Sequence, residues 1–131
     1  MMLLLLPTIA LAQGLNFSEA DKALKAKQWA KAEAEYERQM APYLTRCGSP
    51  MVAKFGPVYF KKGWSEMKQD KWKEAMLSFE TCYKKYPAMW DNPNRCHNKA
   101  LRYWAEAAYQ AGDCETAARL YRKYLTETNN Y

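Results

Sequence analysis

The residues with the most reactive side chains are four cysteines and a single histidine, His97. Zinc sites of the usual kind place two cysteines in a C-x-x-C pair, and covalent haem attachment needs C-x-x-C-H. The chain has no C-x-x-C pair, and Cys96-His97 lacks the earlier cysteine. We therefore expect these residues to hold neither a metal nor a cofactor.

Motifs of enzymatic catalysis are missing from the sequence. There is no nucleophile elbow, no H-E-x-x-H and no glycine-rich phosphate loop. Adjacent residues on a helix point about 100° apart, so Cys96 and His97 do not form a nucleophile and base. The carboxylates Glu66, Asp70 and Glu74 have the spacing of a solvated helix face. We expect a protein that is not an enzyme.

The N-terminal stretch 1–12 is apolar and ends in Ala10-Leu11-Ala12. An apolar run before a small-x-small site is typical of a secretory signal peptide, and this one is too short to span a bilayer. No Lys or Arg precedes Leu3, so an uncleaved N-terminal helix or a mis-assigned start codon is the alternative. We predict a signal peptide over 1–12, one domain over 13–131 without a membrane span, and export to the periplasm or the extracellular space.

The formal net charge of +6 is concentrated in the middle of the chain. Between Arg46 and Lys99 there are 11 basic residues against 5 acidic ones, whereas the flanking parts are balanced. A local basic surface raises encounter rates with anionic partners. The middle section therefore predicts either an anionic partner or a surface charged for solubility.

One short phrase recurs three times along the chain at a nearly constant interval. From Trp29 to Trp72 is 43 positions, and from Trp72 to Cys114 is 42. Such self-similarity indicates stacked supersecondary units. Each phrase opens an apolar pattern of helical spacing, a second such pattern precedes it, and alternating strand patterns are absent. The three copies are Trp29-x-x-Ala32-x-x-x-Tyr36, Trp72-x-x-Ala75-x-x-x-Phe79 and Cys114-x-x-Ala117-x-x-x-Tyr121.

This pattern resembles the tetratricopeptide (TPR) repeat, in which two antiparallel helices carry small and aromatic residues at fixed points. The matching positions are the small residues Ala32, Ala75 and Ala117, the aromatics Tyr36, Phe79 and Tyr121, the opening Trp29 and Trp72, the first-helix small residues Ala20, Gly63 and Ala105, and the closing Pro87. The resemblance implies an all-α fold, a right-handed stack of about three TPR-like antiparallel helix pairs (an α-solenoid). The expected units are 16–44, 57–87 and 94–128.

The period departs from the family's unit of about 34 residues. We assign the surplus to long connections between the units, Pro42 to Gly56 and Ala88 to Arg95, and not to the helices. The first of these connections contains Cys47, and the second contains Trp90, which either covers the repeats or is exposed for a partner.

The four cysteines suit two disulfides in an oxidising compartment. Cys82 lies near the end of its helix and Cys96 at the start of the next, so a Cys82–Cys96 bond between units two and three is plausible on geometry. Cys47 and Cys114 then remain as the second pair. Four reduced cysteines in a chain that is not exported are the alternative.

In TPR proteins the first helix of each pair lines the concave face. Carried over to this chain, the resemblance gives an aromatic groove with basic rims, although Phe60 and Trp64 also suit the core. The predicted partner-binding residues are Phe60, Trp64, Met67, Lys68, Arg102 and Tyr109, with Phe17, Asp21, Leu24, Lys25, Lys99, Glu106 and Gln110 at further groove positions.

We therefore predict a non-enzymatic TPR-like adaptor, in the bacterial envelope or secreted, that binds a peptide or protein partner through this groove. The alternative is binding of an anionic polymer, such as cell-wall glycan, lipopolysaccharide or nucleic acid, through the basic middle section. Terminal repeats need a polar outer face, and no separate capping helix follows the third unit. We expect either that the last helix caps itself, with Arg119, Arg122 and Lys123 outward, or that a repeat end is covered through self-association.

Overall fold

The structure is a computed structural model that describes residues 16–47, 52–85 and 93–129, with side chains over 16–44, 55–85 and 98–128. Across these ranges the chain forms six α-helices and no strand, which confirms the predicted all-α class. The helices are α1 (Ser18–Lys25), α2 (Trp29–Cys47), α3 (Val52–Lys68), α4 (Trp72–Lys85), α5 (Pro93–Gln110) and α6 (Cys114–Asn129).

Three turns of the same construction join α1 to α2, α3 to α4 and α5 to α6. In each, the third turn residue donates its N–H to the carbonyl five residues earlier, at 2.9 Å. The middle residue has a positive φ and closes a second bond, which completes a Schellman motif. These middle residues are Lys27 and Asp70 at φ 60° and Gly112 at φ 86°. The repeat detected in the sequence therefore extends to backbone conformation.

The same turns also start the second helix of each pair. The carbonyl of the third turn residue accepts the N–H of the buried alanine four residues later, as in Gln28 to Ala32 at 2.9 Å. Lys71 with Ala75 and Asp113 with Ala117 repeat this bond. All three alanines are buried, as close approach of neighbouring helices requires.

The connection between α2 and α3 is shorter than the sequence predicts. Both Pro42 and Pro57 lie inside helices, so α2 continues to Cys47 and α3 already begins at Val52. A proline in a helix interior costs about 3 kcal/mol. Phe55, in the added turn of α3, and Val58 are both buried. Burial of each side chain contributes roughly 1.5–3 kcal/mol, which offsets the cost of the proline. Part of the long period therefore lies in the helices and not in the loop.

Each helix packs on the next one along the chain, and α3 also contacts α5. The buried side chains form two clusters. One joins α1 and α2 to the start of α3 and is centred on Tyr36 and Met40. The other joins α4, α5 and α6 around Phe79, Leu101 and Leu120. Tyr59 on α3 packs against both clusters and links them.

Gly63 of α3 lies directly against the ring of Phe79 on α4. A Cβ at residue 63 would come within 2.9 Å of Phe79 Cε1, closer than real Cβ contacts allow. Phe79 is fully buried and its ring contacts Phe60 and Tyr103, so it has little room to move. The small residue predicted here is therefore required by the approach of one aromatic ring.

Gly63→Ala is expected to destabilise the protein by about 1 kcal/mol. Overpacking costs about 1–3 kcal/mol, which exceeds the roughly 1 kcal/mol that alanine gains over glycine in a helix. Urea unfolding followed by circular dichroism measures the change. In a Phe79→Leu background the same substitution should be neutral or stabilising, and a stabilised single variant would contradict the steric account.

Candidate binding groove

Two adjoining pockets form a groove along the first helices of the three pairs. The first has a volume of about 240 Å³ and is lined by Leu24 of α1, Phe60, Lys61 and Trp64 of α3, and Lys99 and Tyr103 of α5. The second has a volume of about 300 Å³ and is lined by Trp64, Met67, Lys68, Asp70, Trp72, Tyr103 and Glu106. Trp64 and Tyr103 belong to both pockets, so these two rings form the centre of the groove.

The floor of the groove is a chain of aromatic contacts. Trp64 meets Tyr103 edge to face, with 5.2 Å between ring centroids. Phe60 contacts Tyr103 at 5.9 Å and Phe79 at 5.5 Å, both in edge geometry. Offset and edge contacts of this kind are the favoured arrangements of aromatic pairs. The groove floor is therefore anchored to the buried ring of Phe79.

Charged groups surround the aromatic floor unevenly. Lys68 Nζ lies 4.8 Å from the Trp64 ring centroid, and the Arg102 guanidinium lies 5.3 Å from that of Tyr103. Cations at this distance are attracted to the ring faces and also hold the rings in place. Lys61 and Lys99 make the first pocket cationic, whereas Asp70 and Glu106 give the second pocket mixed charge.

Lys61 is tied to the first helix pair. Its Nζ lies 3.1 Å from Asp21 Oδ1, and Tyr36 donates its hydroxyl to the same carboxylate. Burial and the Asp21 carboxylate raise the pKa of Tyr36 well above its ordinary value, so this hydroxyl remains a donor. One carboxylate on α1 thus connects α2 to the edge of the groove on α3.

The structure brings together most of the predicted groove residues. Phe60, Trp64, Met67 and Lys68 line the groove, as do Leu24, Lys99 and Glu106. Phe60 and Trp64 are only half-buried, so each contacts the core on one side and the groove on the other. Arg102 reaches the groove through its contact with Tyr103. Tyr109 lines neither pocket and is 60% exposed. The other predicted groove positions, Phe17, Asp21, Lys25 and Gln110, also line neither of these two pockets.

Tyr103 and Lys61 are groove residues that sequence reasoning missed. Alignment of the repeats places Lys61 and Tyr103 at equivalent positions, 42 residues apart, outside the positions assigned to the concave face. The side of α3 that faces α5 and the side of α5 that faces α3 lie at different positions of the repeat. Aligning the repeats therefore does not identify both sides. The sequence did contain a signal for the side of α5 that lines the groove. It is the helical spacing, at intervals of four and three residues, of Lys99, Tyr103 and Glu106.

A cluster of three carboxylates lies between α2, α3 and α4. Oxygen atoms of Glu33, Glu37 and Glu66 lie within 4.8 Å of one another. Lys62 Nζ is 2.8 Å from Glu66 and 3.5 Å from Glu37, and Lys71 Nζ is 3.0 Å from Glu33. Because each of the three carboxylates is already paired with one of two ammonium groups, we interpret the cluster as a charge network and not as a metal centre.

The prediction that Glu66 lies on a solvated face is wrong, because its side chain is 1% exposed. Ser78 donates a hydrogen bond of 2.6 Å to Glu66 Oε1, while Lys62 occupies the other oxygen. These partners satisfy the buried carboxyl group, as burial of a polar group requires. Asp70 and Glu74 are exposed, as expected.

The two inner carboxyl groups have opposite protonation tendencies, although burial raises the pKa of both. Burial raises the pKa of Glu66, and the bonds from Lys62 and Ser78 offset this only in part. Burial acts in the same direction on Glu33, but hydrogen bonds from Lys71 and Gln69 outweigh it and lower the pKa of that carboxyl. Burial lowers the pKa of Lys62, but its carboxylate partners raise it above the ordinary value, so Lys62 stays charged.

The predicted disulfides fall partly outside the described residues. Cys82 is buried in α4 and Cys114 is exposed at the start of α6. The side chains of Cys47 and Cys96 lie outside the described residues, and so do His97, Trp90 and the predicted signal peptide 1–12. Both pairings and the leader therefore stay predictions.

No protein-family model matches this chain, and searches of curated proteins and of solved structures give no match either. Within the described parts of the chain, none of the helices is both long and apolar enough to cross a membrane.

Lys62→Met is expected to destabilise the protein by about 3 kcal/mol at pH 7. It leaves Glu66 as a buried carboxylate without its closest cation, and breaking a buried pair costs about 3–5 kcal/mol. The loss should shrink as pH falls through the raised pKa of Glu66, because protonation removes the buried charge. Urea unfolding between pH 7 and pH 5 tests both statements.

The matched control is Lys62→Met/Glu66→Leu, which removes both charges and should recover most of the stability lost by Lys62→Met. The third unit has Ala108 and Leu120 at the positions of Glu66 and Ser78, so apolar packing is compatible with this site. A double variant as unstable as the single one would contradict the network as the cause.

Proposed function

We propose that the six helices are three TPR-like pairs stacked as a right-handed α-solenoid. Three observations support this arrangement: identical Schellman turns at intervals of 43 and 42 residues, buried alanines at the family's second-helix position, and first helices that line a common groove. The lengthened α2 and α3 extend the family's unit without changing the turns inside each pair.

We propose further that the protein is a non-enzymatic adaptor that binds a peptide segment of a partner protein in this groove. The observation that carries the proposal is the continuous aromatic floor, Phe60–Tyr103–Trp64, to which α3 and α5 contribute and which Leu24 of α1 borders. A groove crossing all three pairs suits an extended chain. Among the described residues that line the two pockets there is no serine, cysteine or histidine, the usual catalytic nucleophiles and bases.

The dimensions of the pockets favour side chains of a peptide over a whole metabolite. Sites for small molecules usually enclose about 300–1,000 Å³ and bury most of the ligand. These pockets hold about 240 and 300 Å³ and are open to solvent. Each would accept one bulky apolar side chain against Trp64 or Tyr103, the residue types that commonly anchor protein interfaces.

The charges refine the expected peptide. Lys99 favours an acidic residue beside the apolar side chain in the first pocket, where Lys61 is already paired with Asp21. Asp70 and Glu106 favour a basic or amide group in the second. The predicted export of the mature chain places the partner in the bacterial envelope or outside the cell.

Binding of an anionic polymer is the second candidate, because the basic surplus lies between Arg46 and Lys99. Two observations weigh against it in the groove. Lys61 is paired with Asp21, and two carboxylates line the second pocket. A polyanion bound along the groove would be repelled by these acidic groups, whereas a peptide can place basic or amide groups beside them.

Selection of random peptides displayed on phage against the full chain tests the adaptor. We expect enriched peptides with a bulky apolar residue next to an acidic one. Trp64→Ala/Lys68→Ala should weaken an enriched peptide at least about tenfold, measured by fluorescence anisotropy, since interface anchors contribute about 2 kcal/mol or more. The control Lys73→Ala/Leu77→Ala has the same spacing on α4, in a cleft towards α6, and should change the affinity less than about twofold.

The salt dependence of binding separates the two candidates. Capture of dextran sulfate that falls steeply between low and high salt, without any enriched peptide, would favour the polymer. Equal loss in both double variants would show that the groove is not the binding site. Folding of each variant is checked by circular dichroism.

A further inference from the structure

The last helix, α6, carries two apolar lines of residues. One line, which includes Ala117 and Leu120, is buried in the protein's own core. The other consists of Cys114, Ala118, Tyr121 and Leu125 at intervals of four, three and four residues, and all four are exposed. We call this second line the α6 seam. Tyr121 is 37% and Leu125 56% exposed, although both are large apolar side chains.

The positions equivalent to Tyr121 and Leu125 are covered in the first two pairs. Tyr36 and Met40 in α2, and Phe79 and Tyr83 in α4, correspond to Tyr121 and Leu125. All four are buried, in clusters that include residues of the following pair. The α6 seam is therefore the surface that a following pair would cover, and none follows α6 within residues 16–129.

We infer that the α6 seam is covered by α6 of a second copy, packed antiparallel in a two-fold symmetric dimer. Side-chain size along the seam supports this occupant. In the antiparallel register Cys114 lies opposite Leu125 of the partner subunit, and Ala118 lies opposite Tyr121 of the partner subunit. A small residue thus faces a large one at every level, and the 4-3-4 spacing is that of a coiled-coil contact.

The charges next to the seam fit the same register. Glu115 and Arg122 are exposed and seven residues apart on one edge of the seam. In the antiparallel dimer Glu115 lies beside Arg122 of the partner subunit, and the symmetry repeats this pair. A parallel dimer would instead place Glu115 and Arg122 on the opposite side of the seam from their copies, where they do not pair, and Tyr121 against its own copy. The sequence of α6 thus complements itself only in the antiparallel direction.

The dimer is expected to be weak. The seam runs from Cys114 to Leu125, about 17 Å along the helix. A single pair of helices of this length buries less than the roughly 1,200 Å² of standard interfaces. We expect a dissociation constant on the order of tens of micromolar.

Sedimentation velocity of the full chain from low micromolar to about 1 mM tests the inference. The wild type should shift from monomer to dimer over this range. Leu125→Glu should stay monomeric, because it buries a charge in the contact. Leu77→Glu, an equally exposed leucine on α4, is the matched control and should dimerise like the wild type. A wild type that stays monomeric, or a Leu125→Glu variant that dimerises normally, would overturn the inference.

Charge exchange tests the antiparallel register. Glu115→Arg and Arg122→Glu should each weaken dimerisation about three- to tenfold, because each single change creates two like-charge contacts. The double variant Glu115→Arg/Arg122→Glu restores opposite charges and should return to within about twofold of the wild type. A double variant weaker than both single ones would rule out this register.

Discussion

The contact between Phe79 and Gly63 is the constraint on which the described structure depends most. The ring takes the space of a missing Cβ, so α3 and α4 approach closely. The same ring then supports Phe60 and Tyr103, and Tyr103 meets Trp64 in the groove. The buried ring of Phe79, at the aromatic position of the repeat, therefore fixes the packing of α3 against α4. It also supports the aromatic floor of the groove. A change at this contact would affect stability and binding together, whereas a change at Trp64 would affect mainly binding.

The units solve the same packing problem in different ways. The third unit fills the space between its helices with Ala108 and Leu120, which are both fully buried. The second unit has Glu66 and Ser78 at these positions and neutralises the carboxyl group with Lys62. Buried ion pairs seldom add net stability over apolar packing. Here the ion pair contributes to the relative orientation of the helices, because Lys62 also reaches Glu37 and so connects the second pair to the first. The network thus aligns α2 with α3, where apolar contact alone would leave more freedom.

The periodic part of this structure could be predicted from the sequence, but little of the rest could. The spacing of Trp29, Trp72 and Cys114 was sufficient for the all-α class, and aligned positions found most of the groove. The sequence could not show that helices continue through Pro42 and Pro57. A proline alone predicts the end of a helix, and burial of residues such as Phe55 competes with this local preference. Glu66 was missed because a buried carboxylate depends on partners from other helices. Tyr103 was missed because facing helices contribute different sides, which one repeat register does not represent.

The first and the last described helices differ in a way that bears on how the protein can associate. The outer positions of α1 include Glu19, Lys22 and Lys25, all exposed and charged. Such a surface suits a terminal unit in contact with water. The α6 seam is apolar, so joining one end to the other would bury charges against Tyr121 and Leu125. Head-to-tail growth into an open filament is therefore disfavoured. In the proposed dimer, contact of α6 with its own copy closes the assembly at two chains.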